Sequence, residues 1–308
     1  MSVYERSETY VKYSTILNRD KQKVDPSTVK ITIKDPCGVT LVDSQNMTKS
    51  STGVYSYNAY DIRSDATYGE YDVTVKATSG AADVSIQDDK FFVMPWKLQK
   101  DVRRITGIND EKSINDDDLS HIAWHSYLEA LRDSFVHHYK EIPLGNPDTG
   151  EGFNGTNTTF QTPYFPIADS NGDGTVSGYG QQSCGTDINC WWIDTNGSWQ
   201  QGYVTVNKAE NGEISITQTD GTAIPNSNEG VYLDYWIEHD SFNLDMFRDA
   251  VSYLAAHYVV ELRMNEVDRV TIADLATNNP IVVKNERRFY NTYRRKLKKI
   301  CKPRIGGA

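Results

Sequence analysis

The stretch Asp169-Ser170-Asn171-Gly172-Asp173-Gly174-Thr175-Val176 combines the residue types and spacing in this chain that best suit ion chemistry. It has side-chain oxygens at its first, third and fifth places, a glycine at the sixth for a sharp turn and a backbone carbonyl at the seventh. Calcium, which takes roughly six to eight oxygen ligands, needs such a loop. The candidate ligands are Asp169, Asn171, Asp173 and Thr175, for a structural ion with no catalytic part. At the twelfth place the pattern wants a bidentate glutamate and the chain has Gly180. A missing ligand would have to come from elsewhere, with Asp187 and Asp194 as the choices. The competing reading is that Asp, Asn and Gly simply make good turns.

Other candidates for chemistry are weaker. His121 and His125 lie four apart and could face one side of a helix, but two ligands do not make a metal site, and ordinary helix histidines are the favoured reading. Gly178-Tyr179-Gly180 has Ser183 where a dinucleotide fingerprint wants its third glycine. No phosphate loop, nucleophile elbow or His-Glu-x-x-His helix occurs, so the chain reads as non-enzymatic. Trp191, Trp192, Trp199 and Trp236 could stack on sugars; core or subunit contact is the favoured role. The end of the chain is the sharpest electrostatic feature. From Lys284 to Arg304 ten cations face the single anion Glu286. Among them Arg287, Arg288, Arg294, Arg295, Lys296, Lys298 and Lys299 form the candidate surface for an acidic protein partner, with DNA phosphates second.

These residues need elements to hold them. Up to about residue 95, Val29, Ile31 and Ile33, then Tyr55 and Tyr57, then Tyr71, Val73 and Val75 alternate with polar neighbours before Phe91-Phe92-Val93. That is strand periodicity, broken at Asp25-Pro26, Asp35-Pro36-Cys37-Gly38, Thr52-Gly53 and Tyr68-Gly69. The spacing suits an antiparallel sandwich resembling an immunoglobulin domain, with Tyr71 placed to anchor a corner. Pro95-Trp96 reads as a hinge. Beyond it, Asn115 or Ser113 can cap a helix opened by Asp116, Asp117 and Asp118 and carried by Leu119, Ile122, Ala123, Tyr127, Leu131 and Phe135 to about His138. A second long helix starts near Ser241 or Asn243, a short one is expected over Thr271 to Ala276, and a last one carries Phe289, Tyr293, Leu297 and Ile300. Between the long helices, residues 143–238 read as a β-rich insertion, with a hairpin turn at Glu210-Asn211-Gly212-Glu213.

The fold class expected is therefore α+β and multidomain: a sandwich over 1–95, a helical domain over 96–142 and 239–308, and a β-rich insertion over 143–238. A chain of 308 residues supports two or three such units. Apolar residues at 38% and charged residues at 24% exclude global disorder. A net charge of -10 argues against wholesale wrapping of nucleic acid. No signal-like start and no long apolar run appear, so no membrane role is expected. Four cysteines read as reduced thiols, with pairing of Cys184 and Cys190 as the alternative.

The order of parts resembles a known family. Asp101-Val102-Arg103-Arg104-Ile105-Thr106-Gly107-Ile108, followed by Asp116-Asp117-Asp118-Leu119 and a long helix, is similar to the opening of the head-tail connector (neck adaptor) proteins of tailed bacterial and archaeal viruses. Phe247 to His257 resembles their second long helix, and Phe289-Tyr290 with Tyr293-Arg294 their closing segment. Phe165-Pro166-Ile167-Ala168-Asp169 and Gly230-Val231-Tyr232-Leu233-Asp234-Tyr235 look like the β insertion of larger members. Asp25-Pro26-Ser27 and Gly53-Val54-Tyr55 are similar to immunoglobulin-like decorations of virion proteins.

The resemblance implies a structural virion protein in the neck between capsid and tail, assembled in the host cytoplasm. Its implied partners are the portal protein, tail or neck proteins, and copies of itself in a homo-oligomeric ring, usually twelve-membered, around the DNA channel. Contact with packaged DNA would be non-specific, and the basic C-terminal helix would reach the portal. The rival reading is a calcium-dependent adhesion or carbohydrate-binding protein, resting on the sandwich, the Asp169 loop and the tryptophans.

Overall fold

Alternation at period two governs the first part of the chain as expected. In strand β3 (Thr28–Lys34) Val29, Ile31 and Ile33 are buried while Lys30 and Lys34 are exposed, and in β7 (Gly69–Ser79) Tyr71, Val73, Val75 and Ala77 point inward. The computed structural model describes residues 2–18, 20–80, 82–108, 114–181, 184–194, 196–225, 230–239, 242–268 and 280–301. Its fold class is α+β, with helices and three sheets. The chain divides into two compact units, Met1–Trp124 and His125–Ala308, and the division falls within a helix.

In the first unit, β1 (Ser2–Tyr4), β8 (Ala82–Val93), β7, β3 and β4 (Thr40–Asn46) form a five-stranded sheet in that order; a second sheet runs β2 (Thr9–Thr15), β6 (Val54–Asp61), β5 (Thr48–Ser51). All pairings are antiparallel except β1 against β8. Both sheets contribute to one core, where Tyr10, Tyr55 and Tyr57 meet Ile31, Val73 and Phe91. Each fully buried side chain of this size stabilises by about 1.5–3 kcal/mol relative to exposure, which is what drives the two sheets together. Tyr71 stacks on Phe91 at 4.9 Å, and its hydroxyl donates to the carbonyl of Thr67 at 2.8 Å, anchoring the corner before β7. Gly53 closes the β5–β6 turn at φ +66°, where a Cβ would lie 2.7 Å from that of Lys23.

Helix α1 (Gln99–Thr106) ends on Gly107, whose left-handed conformation lets its N–H reach the carbonyl of Arg103 at 2.8 Å. Helix α2 (Asp116–Ser134) starts as expected: Asn115 Oδ1 accepts from Asp118 N at 2.7 Å, and three aspartates occupy the first turn. Ser113, the other cap considered, lies outside the described residues. The helix stops at Ser134, short of His138, because Val136–Glu141 pairs as strand β9 with Val231–Ile237, strand β14. Val136, His137, His138 and Tyr139 favour helix only weakly, so ladder pairing prevails here.

The second unit holds a six-stranded antiparallel sheet in the order β10 (Thr159–Gln161), β13 (Glu213–Thr217), β12 (Trp199–Lys208), β11 (Ile188–Ile193), β14, β9. The β12–β13 turn is a short 3-10 segment, Ala209–Asn211, ended by Gly212 at φ +68°. Helix α3 (Leu244–Asp268) is capped by Asn243, whose Oδ1 accepts from Met246 N at 3.0 Å, and α4 (Pro280–Ile300) packs against α3. Ser241 and the short helix expected over Thr271 to Ala276 lie outside the described residues. The end of α2 joins this bundle: Tyr258 donates to Glu129 at 2.5 Å, Tyr293 donates to Asp133 at 2.7 Å, and Tyr127 packs on Phe247. The two long helices and the closing one thus converge although about a hundred residues separate them in sequence.

Cys190 and Cys301 are free thiols, and burial pushes the Cys190 thiol up to about 12. The free Cys190 rules out its pairing with Cys184, the alternative that the sequence left open. Among the described residues no helix is long and apolar enough to cross a membrane.

Candidate functional site

The Asp169 loop folds around its own carboxylates. Asp169 Oδ1 accepts from the N–H of Gly172 (2.9 Å) and Asp173 (3.2 Å), and Oδ2 from Gly174 (2.7 Å). Asn171 Oδ1 accepts from Asp173 N at 2.9 Å, and Asp173 Oδ1 from Thr175 N at 2.9 Å. Gly172 and Gly174 have φ of +75° and +87°, which the sharp turn requires; a Cβ on Gly172 would also strike Leu128 and Leu131 of α2 at 2.8 Å.

Of the two distant aspartates considered as extra ligands, Asp187 reaches the loop and Asp194 does not. Asp187 Oδ1 accepts from Ser170 N (2.7 Å), Ser170 Oγ (2.9 Å) and Asn171 N (3.2 Å), and its Oδ2 accepts from Ser177 N at 2.9 Å. It clips the loop shut. Asp194 instead closes the β11–β12 turn by accepting from Asn196 N and Ser198 N. Burial, then the neighbouring charges of Asp187 and Asp173, push the Asp169 carboxyl up to about 7. Burial also raises Asp187, against the lowering effect of its hydrogen bonds. The oxygen chemistry of the loop suits a hard cation. Among the described residues, however, no three acidic, His or Cys side chains stand in metal-holding geometry.

The tryptophans divide between the two faces of the six-stranded sheet. Trp192, 7% exposed, joins Cys190, Val204, Leu233 and Tyr235 in the core beneath the sheet. Trp191 and Trp199 lie on the opposite, open face and are 39% and 53% exposed. Trp191 is paired across the ladder with Tyr232, and the ring of Tyr232 lies 5.7 Å from that of Trp199. Two residues further along β14, Asp234 pairs with Tyr139 of β9, which is 63% exposed. Together Tyr139, Lys140, Trp191, Trp199, Tyr232 and Asp234 line a groove of about 360 Å³. Beside it the Trp236 ring lies 4.5 Å from that of His137, tilted by 31°, and His137 is hydrogen-bonded to Asp234.

The register of β9 against β14 slips at Leu233/Asp234, and the extra residue is Lys140, held at φ +58°. A non-glycine residue in this region costs about 1–2 kcal/mol. The bulge re-aims the strand at this point, and the Lys140 ammonium lies 5.4 Å from the centre of the Tyr139 ring. Sequence reasoning singled out the tryptophans but missed Tyr139, Lys140 and Asp234 as their partners. The alternation Tyr232-x-Asp234-x-Trp236 was visible, whereas its pairing with β9 and β11 was not.

On α4, Phe289, Tyr293, Leu297 and Ile300 are buried, as their spacing predicts. Arg287, Arg288, Arg294, Arg295, Lys298 and Lys299 are exposed. At the helical period they fall in two adjacent rows, Arg287–Arg294–Lys298 and Arg288–Arg295–Lys299, opposite the buried stripe. Lys296 turns aside to pair with Asp249 of α3, and Arg294 lies 3.8 Å from Asp133. His121 is exposed and packs edge-on to Phe92 at 5.0 Å, and His125 is exposed on the same helix.

No family model matches the chain, and no curated protein matches it. Among solved structures, it is similar to a tetra-tandem repeat in the extending region of a large adhesion protein, at 14% identity and a TM-score of 0.26. The match covers 72% of this chain and 38% of the other, so the chain spans well under half of that protein's length. A likeness at that TM-score carries no argument about fold or function.

Proposed function

We propose that this chain is a non-enzymatic structural protein of a tailed virus, a head-tail adaptor that forms a ring between capsid portal and tail around the DNA channel. The observation that carries the reading is the convergence of the end of α2 with α3 and α4 in the second unit, with the β-rich excursion between α2 and α3 and two rows of cations on the outer face of α4. An adaptor needs a rigid helical body and a charged docking edge, and this arrangement supplies both. In the proposal the first unit is an immunoglobulin-like sandwich. Support comes from two sheets about one core and from the Tyr71 hydroxyl bonded to the carbonyl four residues upstream, as in the tyrosine corner of such domains. A structural calcium ion at Asp169, Asn171, Asp173 and Thr175 is a subsidiary part of the proposal.

The test is binding of the full chain to the portal protein of the same virus, with ring formation followed by electron microscopy. Replacing Arg294, Arg295, Lys298 and Lys299 together by Glu is expected to weaken portal binding by at least ~10-fold, since each reversal sets like charges against an acidic surface. All four are exposed, so the fold should survive, which circular dichroism checks. Portal binding unchanged by the fourfold reversal would reject the docking role of α4. Absence of this chain from the neck of the purified virion would reject the adaptor reading itself.

A further inference from the structure

We propose that the open face of the six-stranded sheet is a binding site for a neutral saccharide, seated in the groove lined by Tyr139, Lys140, Trp191, Trp199, Tyr232 and Asp234. This inference does not depend on the adaptor reading. Its first support is the placing of large aromatic rings. A sheet with one face in the core ordinarily turns polar residues to water on the other. Here the outer positions instead hold Trp191, Trp199, Tyr232 and Tyr139, three of them more than a third exposed. The Trp199 and Tyr232 rings, tilted by 46° to one another, both line the groove and give it aromatic walls.

The second support is the polar complement. A sugar ring offers an apolar C–H face to an aromatic plane and hydroxyls at its edge. Asp234 supplies acceptors and Lys140 a donor at the same groove. The charges also decide the ligand class. One cation and one carboxylate, the latter already bonded to His137, leave no cluster of positive charge for a nucleotide phosphate or an acidic sugar. Size decides against a protein partner for the groove itself. At about 360 Å³ it sits low in the small-molecule range of roughly 300–1,000 Å³, whereas stable protein interfaces engage about 20–30 residues a side.

The third support is the bulge. Lys140 holds a left-handed backbone at the rim of the groove, and strain of this kind collects where a side chain must be aimed. The strand therefore departs from regular geometry at the point where it delivers Tyr139 and Lys140 to the aromatic wall.

The experiment uses the full chain and a panel of neutral tetrasaccharides (maltotetraose, cellotetraose, chitotetraose, mannotetraose) followed by a neutral-glycan array, with tryptophan fluorescence as the readout. Saturable binding to at least one probe is expected, weakened ~10-fold or more by Trp191→Ala and by Trp199→Ala. Trp199→Tyr should retain part of the affinity and serves if the alanine variant misfolds. Lys140→Gly keeps the left-handed bulge accessible to the backbone while removing the lysine side chain and its donor but no aromatic ring, so it should weaken binding less than either alanine variant. No saturable binding across the array would overturn the proposal, as would alanine variants that bind as tightly as the parent. Dissolution of an oligomer by Trp199→Ala without any glycan binding would overturn it too, by making this face a subunit contact.

Discussion

At Asp169 the local chemistry makes a definite statement about pH. An unfolded aspartate releases its proton near 3.9, whereas the folded one, buried and close to Asp187 and Asp173, holds it up to about 7. Between those values the folded state binds more protons than the unfolded state. The stabilisation is therefore full below about pH 4 and is lost as pH rises through about 7. The loss is on the order of 2–4 kcal/mol at most. Asp194, Asp220 and Asp25 have lowered values and act in the opposite sense at acid pH, so the comparison must isolate one residue. In chelator, thermal unfolding of the parent is expected to lose more stability between pH 5 and pH 8 than that of Asp169→Asn, where the titration is absent. Calcium at pH 8 should recover the difference in the parent alone. Parallel pH profiles for the two proteins would remove Asp169 as the titrating group, and no calcium response would remove the ion.

For the elements, helix starts are the points where single side chains matter most. Four N–H groups at the start of each helix lack partners within it, and Asn115 and Asn243 each satisfy one. Asn243→Ala should destabilise the folded chain by about 1 kcal/mol, read by denaturant unfolding, with Asn243→Ser nearly neutral because serine caps as well. An alanine variant as stable as the parent would show that water serves this helix end equally. The other end of the bundle follows the same electrostatics. Lys298 and Lys299 occupy the last turn of α4, where cations meet the negative end of the peptide dipoles. Helix stability thus accounts for some of the basic charge. It does not account for Arg287 and Arg288, far from that end, which is why the two rows read as a surface for a partner.

Across the whole molecule, charge is segregated. The chain carries -10 overall while, among the described residues, the outer face of α4 carries six exposed cations. Long-range repulsion from the acidic remainder opposes approach to nucleic acid, whereas the α4 face attracts it. Contact with duplex DNA is therefore expected to be weak and steeply salt-dependent. The slope of log affinity against log salt should become shallower by up to about 3–4 when Arg294, Arg295, Lys298 and Lys299 are replaced by Glu. An unchanged slope would place any DNA contact elsewhere and leave α4 to a protein partner.

What the amino-acid order determined by itself was the periodic part. Period two announced β3, β6 and β7, spacing of three and four announced α2, α3 and α4, and Asn115, Asn243, Gly53 and Gly212 marked where these begin or turn. Such signals are local, because each depends on residues within one or two turns of chain. The Asp169 turn was legible for the same reason. Tertiary structure alone decided what lay far apart in sequence: that Asp187 and not Asp194 reaches the loop, that Val136–Glu141 leaves the helix to pair with β14, and that Tyr139, Trp191, Trp199 and Tyr232 share one face. A strand's register puts a given side chain on the core face or the open face, and register is set by partners that local pattern does not name. Trp191 and Trp192 make the point, since adjacent residues of one type end on opposite sides of the same sheet.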